Sequence, residues 1–233
     1  MFANKKSKKY IKRLLNDPNI TYAIEAENWN KVYKYFTDFL EQECEKHYIN
    51  ESEITADLTR FLLDSGINPL ESWNSIPGFT FYGEFKLEDI PEIPSSIKAI
   101  DPYAYFELVT NKPMELRIPG TVKAIGMCAI TVCNDITKII IEDGVEGIDH
   151  HAIHRCDNLE YIELPNSLKR IGYLVDTEEN PRYKKTVIKF NGSASKFRNL
   201  LRAEAIRNRY GTDIFKHFRK LHIIDKNDER IKL

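Results

Sequence analysis

The sequence predicts an α+β protein in which a short solenoid of about four rungs lies between a helical N-terminal domain and a helical C-terminal cap. Two observations lead to this prediction. A short phrase, apolar–x–x–Ile–Gly/Asp, recurs at a nearly constant spacing, starting at Ile97, Val122, Val145 and Leu168. Apolar residues spaced three and four positions apart, as in amphipathic helices, precede and follow that region. We therefore divide the chain into residues 1–75, 76–192 and 193–233.

The repeated unit extends well beyond the short phrase, which occurs at 97–101, 122–126, 145–149 and 168–172. Strand-like pairs of apolar residues follow at the same period: Leu116 with Ile118, Ile139 with Ile141, Ile162 with Leu164, and Ile188 with Phe190. Alternate residues of a strand share a face, so the second members of these pairs should form one buried column. A single unit cannot bury that column, whereas stacked units close a continuous core.

These residues resemble the BspA-like class of leucine-rich repeats, which is known from bacterial surface antigens. The positions that trace its phrase are Leu116, Ile118, Pro119, Val122, Ile125, Gly126, Ala129 and Cys133. The sequence departs from the class at Ile130 and Ile153, where Phe is usual. The resemblance covers about 90–192. It implies a leucine-rich-repeat solenoid and, because the class mostly supplies recognition surfaces, a role in protein binding.

The N-terminal flank has the pattern of amphipathic helices. One helical face is predicted from Trp29, Val32, Tyr33, Phe36, Phe39, Leu40 and Cys44. A second helix is predicted over 51–63, ended by Gly66 and Pro69. We expect these helices to cover the open end of the solenoid. The segment 65–70, with Ile76 and Pro77 after it, is similar to the lead-ins of repeat proteins encoded by bacteriophages, which implies a phage origin.

The C-terminal flank is predicted to be helical over 193–220, with a break at Gly211 and a last strand at 221–224. The first helix is inferred from apolar residues at helical spacing: Phe197, Leu200, Leu201, Ala205 and Ile206. A second helix is inferred from Ile214, Phe215 and Phe218. The segment 188–197 resembles the closing unit of the same repeat class, in which a helix seals the end of the solenoid.

Composition suggests an ordinary globular protein, with 42% hydrophobic and 30% charged residues. No apolar run is long enough to span a membrane, and no apolar core follows the basic segment 1–13. We therefore expect a cytoplasmic protein, or one in the host cytoplasm if the chain is phage-encoded. The four cysteines lack CxxC spacing, and we expect thiols. Cys133 and Cys156 should lie in adjacent rungs, where a disulfide is geometrically conceivable.

The cluster of His150, His151 and His154 is the strongest candidate for a metal site. The repeat register, however, places it in the turn after Ile148, so we expect His150 and His151 to lie in solvent. The chain also contains no P-loop, GxGxxG, GxSxG or HExxH motif. We therefore predict no metal, no cofactor and no enzymatic activity.

The leading functional prediction is a protein-binding module whose partner contacts the outward positions of the strands. The candidate residues are Arg117, Ile140, Tyr161, Glu163 and Lys189. An outward isoleucine is poorly explained by solubility, and tyrosine is frequent among binding hot spots. The alternative interpretation is an ordinary exposed sheet with scattered apolar residues. If the phage likeness holds, the partner would be a host factor or a defence protein.

The second functional prediction is a nucleic-acid-associated protein that uses the basic C-terminal segment. Residues 193–233 carry eleven Lys or Arg against five acids. The candidate contacts are Arg198, Arg202, Arg207, Arg209, Lys216 and Arg219. Such residues neutralise phosphates, but the acidic middle of the chain argues against a broad nucleic-acid footprint.

Overall fold

The computed structural model describes residues 12–13, 16–26, 31, 34–35, 38, 51–64, 66–175, 183, 185–207 and 214–233. The helical face predicted from Trp29 to Cys44 lies outside the described residues. The first described helix, α1, spans Pro18–Glu25 and the second, α2, spans Glu51–Asp64. Within the described part of the chain, no helix has both the length and the apolar character needed to cross a membrane.

The middle of the chain forms three parallel sheets that run along one stack of rungs, and each complete rung adds one strand to each sheet. Sheet A contains β1 (Ser75–Ile76), β3 (Ala99–Ile100), β6 (Ala124–Ile125), β9 (Gly147–Ile148) and β12 (Arg170–Ile171). Sheet B contains β2 (Phe81–Glu84), β4 (Tyr105–Val109), β7 (Ile130–Thr131) and β10 (Ile153–His154). Sheet C contains β5 (Met114–Ile118), β8 (Ile136–Ile141), β11 (Tyr161–Leu164), β13 (Val187–Phe190) and β14 (His222–Ile224). The stack has about four turns, so the predicted short solenoid is confirmed.

The structure has more strands in each rung than the single strand that the sequence predicted. The additional strands belong to sheets A and B, and many of them contain only two residues. So short a strand cannot show the alternation of apolar and polar residues by which a strand is recognised in a sequence. The recurrent isoleucine of the repeated phrase, as in Ile100 and Ile125, is the buried residue of each sheet A strand.

The core is formed by columns of side chains that point inward from all three sheets. In sheet C, Ile118 pairs with Ile141 and Leu164 pairs with Phe190, and all four side chains are buried. The predicted buried column is therefore confirmed. In β5 the alternation is complete, since Glu115 and Arg117 point outward between buried residues.

The corners between sheets A and B use a left-handed backbone at residues other than glycine. Phe79, Tyr103, Cys128 and His151 occupy the same corner in successive rungs, with φ of 61°, 61°, 55° and 53°. Backbone hydrogen bonds connect these corners from rung to rung. The N–H of Phe79 donates to the carbonyl of Tyr103, that of Tyr103 to Cys128, and that of Cys128 to His151. The left-handed turn lets the chain change direction while these rung-to-rung bonds are kept, although it is unfavourable for side chains with a Cβ.

Helix α2 agrees with its prediction in extent and in its ending. Its buried residues include Ile54, Leu58 and Leu62. At its C-terminus Gly66 has φ of 77°, and the N–H of Ile67 donates to the carbonyl of Leu62, a common way to end a helix. The helix packs against β2.

The C-terminal flank forms helices α3 (Ala194–Arg207) and α4 (Ile214–Arg219), and β14 follows them. The predicted last strand is confirmed, because β14 pairs in parallel with β13. Phe197, Leu200 and Leu201 are buried as expected. Ile206 is not, since 84% of it is exposed. The spacing of apolar residues identified the helix, but it overestimated the width of the helix surface that packs on the solenoid.

Candidate functional site

The outer face of sheet C brings the predicted partner-binding residues together in register. Arg117 pairs with Ile140, Ile140 with Glu163, and Glu163 with Lys189. Tyr161 lies beside this row, opposite Lys138. The five predicted residues therefore form one contiguous surface across four rungs. We call this surface, made of Arg117, Ile140, Tyr161, Glu163 and Lys189, the sheet C face.

Ile140 differs from its expected exposure. It is only 6% exposed, and it is not part of the central core. An outward position on a sheet is screened by the side chains on the neighbouring strands, and here those are the long side chains of Arg117 and Glu163. The expectation that Ile140 is exposed is therefore wrong, because the residue lies beneath the polar surface, while its part in partner binding stays a prediction.

The charged residues around the sheet C face form ion pairs with one another. Glu115 contacts Arg117 at 2.8 Å and Lys138 at 2.9 Å, and Arg117 also contacts Glu142 at 3.4 Å. The pKa of Glu115 is lowered, first by its hydrogen bond with Lys138 and then by Arg117. These contacts hold the long side chains in defined positions along the first strands of the sheet.

Tyr161 lies at the centre of a second group of contacts. Its hydroxyl donates to the carboxylate of Glu163 at 3.2 Å, and the ammonium group of Lys138 lies 5.6 Å from the centre of its ring. Partial burial, and then the nearby carboxylate of Glu163, raise the pKa of Tyr161 to about 12. Asn191 donates to the other oxygen of Glu163, and Lys189 contacts Asp228 at 2.7 Å. The hydroxyl of Tyr161 thus keeps its proton at neutral pH and donates it to Glu163.

The predicted nucleic-acid-binding residues lie on the C-terminal helices, and several of them bond to the protein itself. The side chains of Arg198, Arg207 and Arg219 donate to the carbonyls of Lys232, Lys169 and Leu233 at 3.0 to 3.2 Å. Arg202 donates to the side chain of Asn199, and Lys216 is exposed. Arg209 lies outside the described residues. Much of this basic character therefore ties the helices to the last strands and to the C-terminus.

The three histidines are half-buried and contact neighbouring residues, which corrects the expectation that His150 and His151 lie in solvent. The Nδ1 atom of His150 accepts a hydrogen bond from the backbone N–H of Tyr173 at 3.1 Å. The ring of Tyr173 lies 6.1 Å from that of His151 and 4.9 Å from that of His217 on α4. The sequence did not anticipate this packing because Tyr173 and His217 come from the next rung and from the C-terminal flank. No group of three potential metal ligands is arranged around a common point among the described residues.

Cys133 and Cys156 are buried in adjacent rungs as expected, and both are free thiols. A hydrogen bond to Cys133, together with burial, raises the pKa of Cys156 well above its ordinary value. Their strands are in register, since Ile153 pairs with Ile130. A buried thiol with a raised pKa is a poor nucleophile, so this pair contributes to packing and not to a reactive site.

One surface was missed by the sequence analysis. Phe79, Tyr82, Tyr103 and Phe106 cluster on the outer side of sheet B. The sequence contains a sign of this cluster. The number of residues that separates Phe79 from Tyr103 equals the number that separates Tyr82 from Phe106, and it is close to the repeat period. These residues point outward from the repeat, so they do not belong to its recurrent buried pattern.

Comparison with known families agrees with this architecture. Residues 67–175 match the sequence model described as the BspA type leucine rich repeat region, which spans six copies of the repeat. The match begins before Ser75, the first residue of the parallel stack. No curated protein matched the chain, and no solved structure did. Residues 67–175, a little under half of the chain, are therefore similar to BspA type leucine rich repeats, and they coincide with most of the observed stack of rungs.

Proposed function

We propose that this chain is a non-enzymatic protein-binding module whose partner contacts the sheet C face. The observation that carries the proposal is the in-register row Arg117–Ile140–Glu163–Lys189 with Tyr161 beside it. Leucine-rich repeats suggest a protein-interaction module, and the sheet C face combines both signs of charge with an aromatic side chain. Such a combination favours a specific protein partner over a generic polyanion.

The ion pairs on this face support binding in a particular way. Long charged side chains lose conformational entropy when a partner immobilises them, and this loss weakens binding. The side chain of Arg117 is already held between Glu115 and Glu142, and the Tyr161 hydroxyl is held by Glu163. The surface is thus partly ordered before the partner arrives. Ile140 supports it from beneath by keeping water away from the stems of its neighbours.

The more specific form of the proposal is a phage-encoded protein that acts in the host cytoplasm on a host or defence factor. Its support is the likeness of the segment 65–70 to the lead-ins of phage repeat proteins. The described residues 66–70 of that segment follow α2 and lead into the first rung, and the side chain of Asn68 caps the turn Pro69–Ser72. The segment thus has a structural role, so this form of the proposal depends on the likeness alone.

The test is affinity capture with the full chain as bait, in an extract of the source organism, with and without nuclease. The face variant combines Arg117→Ser with Tyr161→Ser. The control variant combines Lys98→Ser with Tyr22→Ser, which removes similar exposed side chains elsewhere. We expect a defined protein to be captured with or without nuclease, and its affinity to fall at least about tenfold for the face variant only.

A third bait, with Arg202→Glu and Lys216→Glu, tests the nucleic-acid alternative. Nuclease-sensitive capture that this variant abolishes, while the face variant captures normally, would assign function to the basic helices. The steep salt dependence of phosphate contacts gives a second readout for that outcome.

A further inference from the structure

A half-buried aromatic cluster lies on the outer side of sheet B in the first two rungs. We call it the aromatic patch and define it as Phe79, Tyr82, Tyr103 and Phe106. The rings of Phe79 and Tyr103 are stacked, with their centres 5.8 Å apart. Phe106 meets both of them edge to face, at 5.6 and 5.8 Å, and lies 5.7 Å from Tyr82. All four side chains remain partly exposed.

The fold itself does not require aromatic residues at these positions. In the next two rungs, the positions of Tyr82 and Phe106 are taken by Thr131 and His154, as the strand pairing shows. The corner positions of Phe79 and Tyr103 are taken there by Cys128 and His151. Those rungs have the same strands and a buried core, so the outward aromatic rings are an addition to the repeat.

The corner residues also occupy an unfavourable backbone conformation. Phe79 and Tyr103 both have φ of 61°, where glycine or asparagine would be favoured. Large aromatic side chains are not needed at these strained, half-buried corners, because Cys128 and His151 occupy them in the next two rungs. Retaining them there is better explained by a surface that another molecule contacts.

The charged residues on the two strands that carry the aromatic patch are both acidic. Strands β2 and β4 contain Glu84 and Glu107, both exposed, and no Lys or Arg. The nearby Arg60 is directed inward. Its guanidinium group contacts Asp57 at 2.6 Å and donates to the backbone carbonyls of Tyr82 and Glu84. The surface therefore presents aromatic rings with carboxylates at their side.

Two exposed apolar side chains, Val109 and Met127, lie near the aromatic patch on the side of the next rung. Val109, which pairs with Glu84, is 37% exposed, and Met127 is 48% exposed. Met127 precedes Cys128, whose carbonyl accepts the backbone N–H of Tyr103. Exposed apolar surface of this kind, with a polar rim, is typical of a protein-binding site.

We propose that the aromatic patch binds a protein segment in which Arg or Lys side chains stand beside apolar ones. Apolar side chains of the segment would remove the rings, Val109 and Met127 from water. Its cations would pair with Glu84 and Glu107, and a guanidinium group could also lie over an exposed ring. This inference rests on the proposed protein-binding function and deepens it by adding a second surface and the charge of its ligand. Nucleic acid is disfavoured as the occupant by the two carboxylates.

The test uses three labelled peptides of equal length, built from alternating Arg and Leu, Glu and Leu, or Arg and Ser. Their affinities for the full chain are measured by fluorescence anisotropy. The patch variant combines Tyr103→Asn with Phe106→Thr, because asparagine tolerates a left-handed backbone and Thr131 already occupies the equivalent position of β7. The carboxylate variant combines Glu84→Gln with Glu107→Gln. Tyr22→Thr is the control, because Tyr22 is exposed and lies outside both proposed surfaces. Tyr161→Thr tests whether the peptide binds the sheet C face instead, and urea unfolding checks that each variant is folded.

We expect the Arg–Leu peptide to bind most tightly. Its affinity should fall at least about tenfold for the patch variant and severalfold for the carboxylate variant, and should not change for Tyr22→Thr. Equal binding of the Glu–Leu peptide, an unaffected patch variant, or no binding up to about 1 mM peptide would each overturn the proposal. Self-association in sedimentation that is lost in the patch variant would also overturn it, by showing a second copy as the occupant.

The same measurements separate this inference from the proposed function. If Tyr161→Thr weakens the peptide and the patch variant does not, the peptide binds the sheet C face, and only the inference about the aromatic patch fails. If the patch variant loses the peptide while partner capture does not depend on the sheet C face, the inference stands and the proposed face fails.

Discussion

Replacing Tyr105 by Phe should stabilise this protein, although such a substitution removes a polar group from its core. Tyr105 is fully buried in β4, and its hydroxyl has no hydrogen-bond partner among the residues that the structure describes. Burying a hydroxyl group without a partner costs about 1–3 kcal/mol. Phenylalanine retains the ring, which stacks on Phe81 with centres 4.8 Å apart. The gain is reduced by the small void that the missing oxygen leaves, so we expect the free energy of unfolding to rise by about 1 kcal/mol.

The assay is urea unfolding followed by circular dichroism. The midpoint should rise while the denaturant slope stays constant. Tyr22→Phe is the matched control, because this tyrosine is 66% exposed and its hydroxyl is accessible to water. The control should change the free energy of unfolding by less than about 0.5 kcal/mol. If Tyr105→Phe instead destabilises the protein by about 1 kcal/mol or more, the hydroxyl makes a favourable interaction and the reasoning is refuted.

The same variant should also change the response to alkaline pH. Burial raises the pKa of Tyr105 above its ordinary value, which is near 10 in an unfolded chain. The unfolded state therefore loses this proton first. Below about pH 10 both states keep the proton, and the free energy of unfolding does not depend on its ionisation. As the pH rises further, ionisation of Tyr105 favours the unfolded state, and stability is lost. The wild type should thus lose more stability than Tyr105→Phe between about pH 9 and 11. Parallel losses in both proteins would contradict the raised pKa.

Three further substitutions or measurements test the core and its attachments. Asp57→Asn should lower the free energy of unfolding by about 3 kcal/mol, because it leaves the largely buried guanidinium group of Arg60 without its carboxylate. Urea unfolding measures this change, and a loss below about 1 kcal/mol would contradict it. Ile141→Ala should cost roughly 2–5 kcal/mol in the same assay because it opens a cavity in the buried column, and a cost near zero would show that the column does not carry the fold. Thiol titration of the denatured protein, purified without reductant, should count all four cysteines, and a count of two would show that Cys133 and Cys156 are oxidised to a disulfide.

The alternating strands of sheet C were predictable because their pattern is local. Each strand of this sheet is four to six residues long in the repeats, and the apolar residues recur at the rung offset. Burial of Ile118 or Leu164 therefore follows from position within the unit. The two-residue strands of sheets A and B were not predictable, because their backbone pairing depends on the neighbouring rung and leaves little trace in residue type.

The sequence by itself determined three features: the repeat period, the outward row on sheet C, and the column of Ile118, Ile141 and Leu164. Each of them needs only the regular repeat offset and the alternation of a strand. Only the tertiary structure decided that Ile140 is covered by the side chains of adjacent rungs. It alone also decided that Tyr173 packs between the histidine cluster and His217, and that aromatic rings from two successive rungs meet on sheet B. The physical reason is that a pattern along the chain specifies which way a side chain points, whereas its exposure depends on the size of the side chains that stacking brings beside it from distant parts of the sequence.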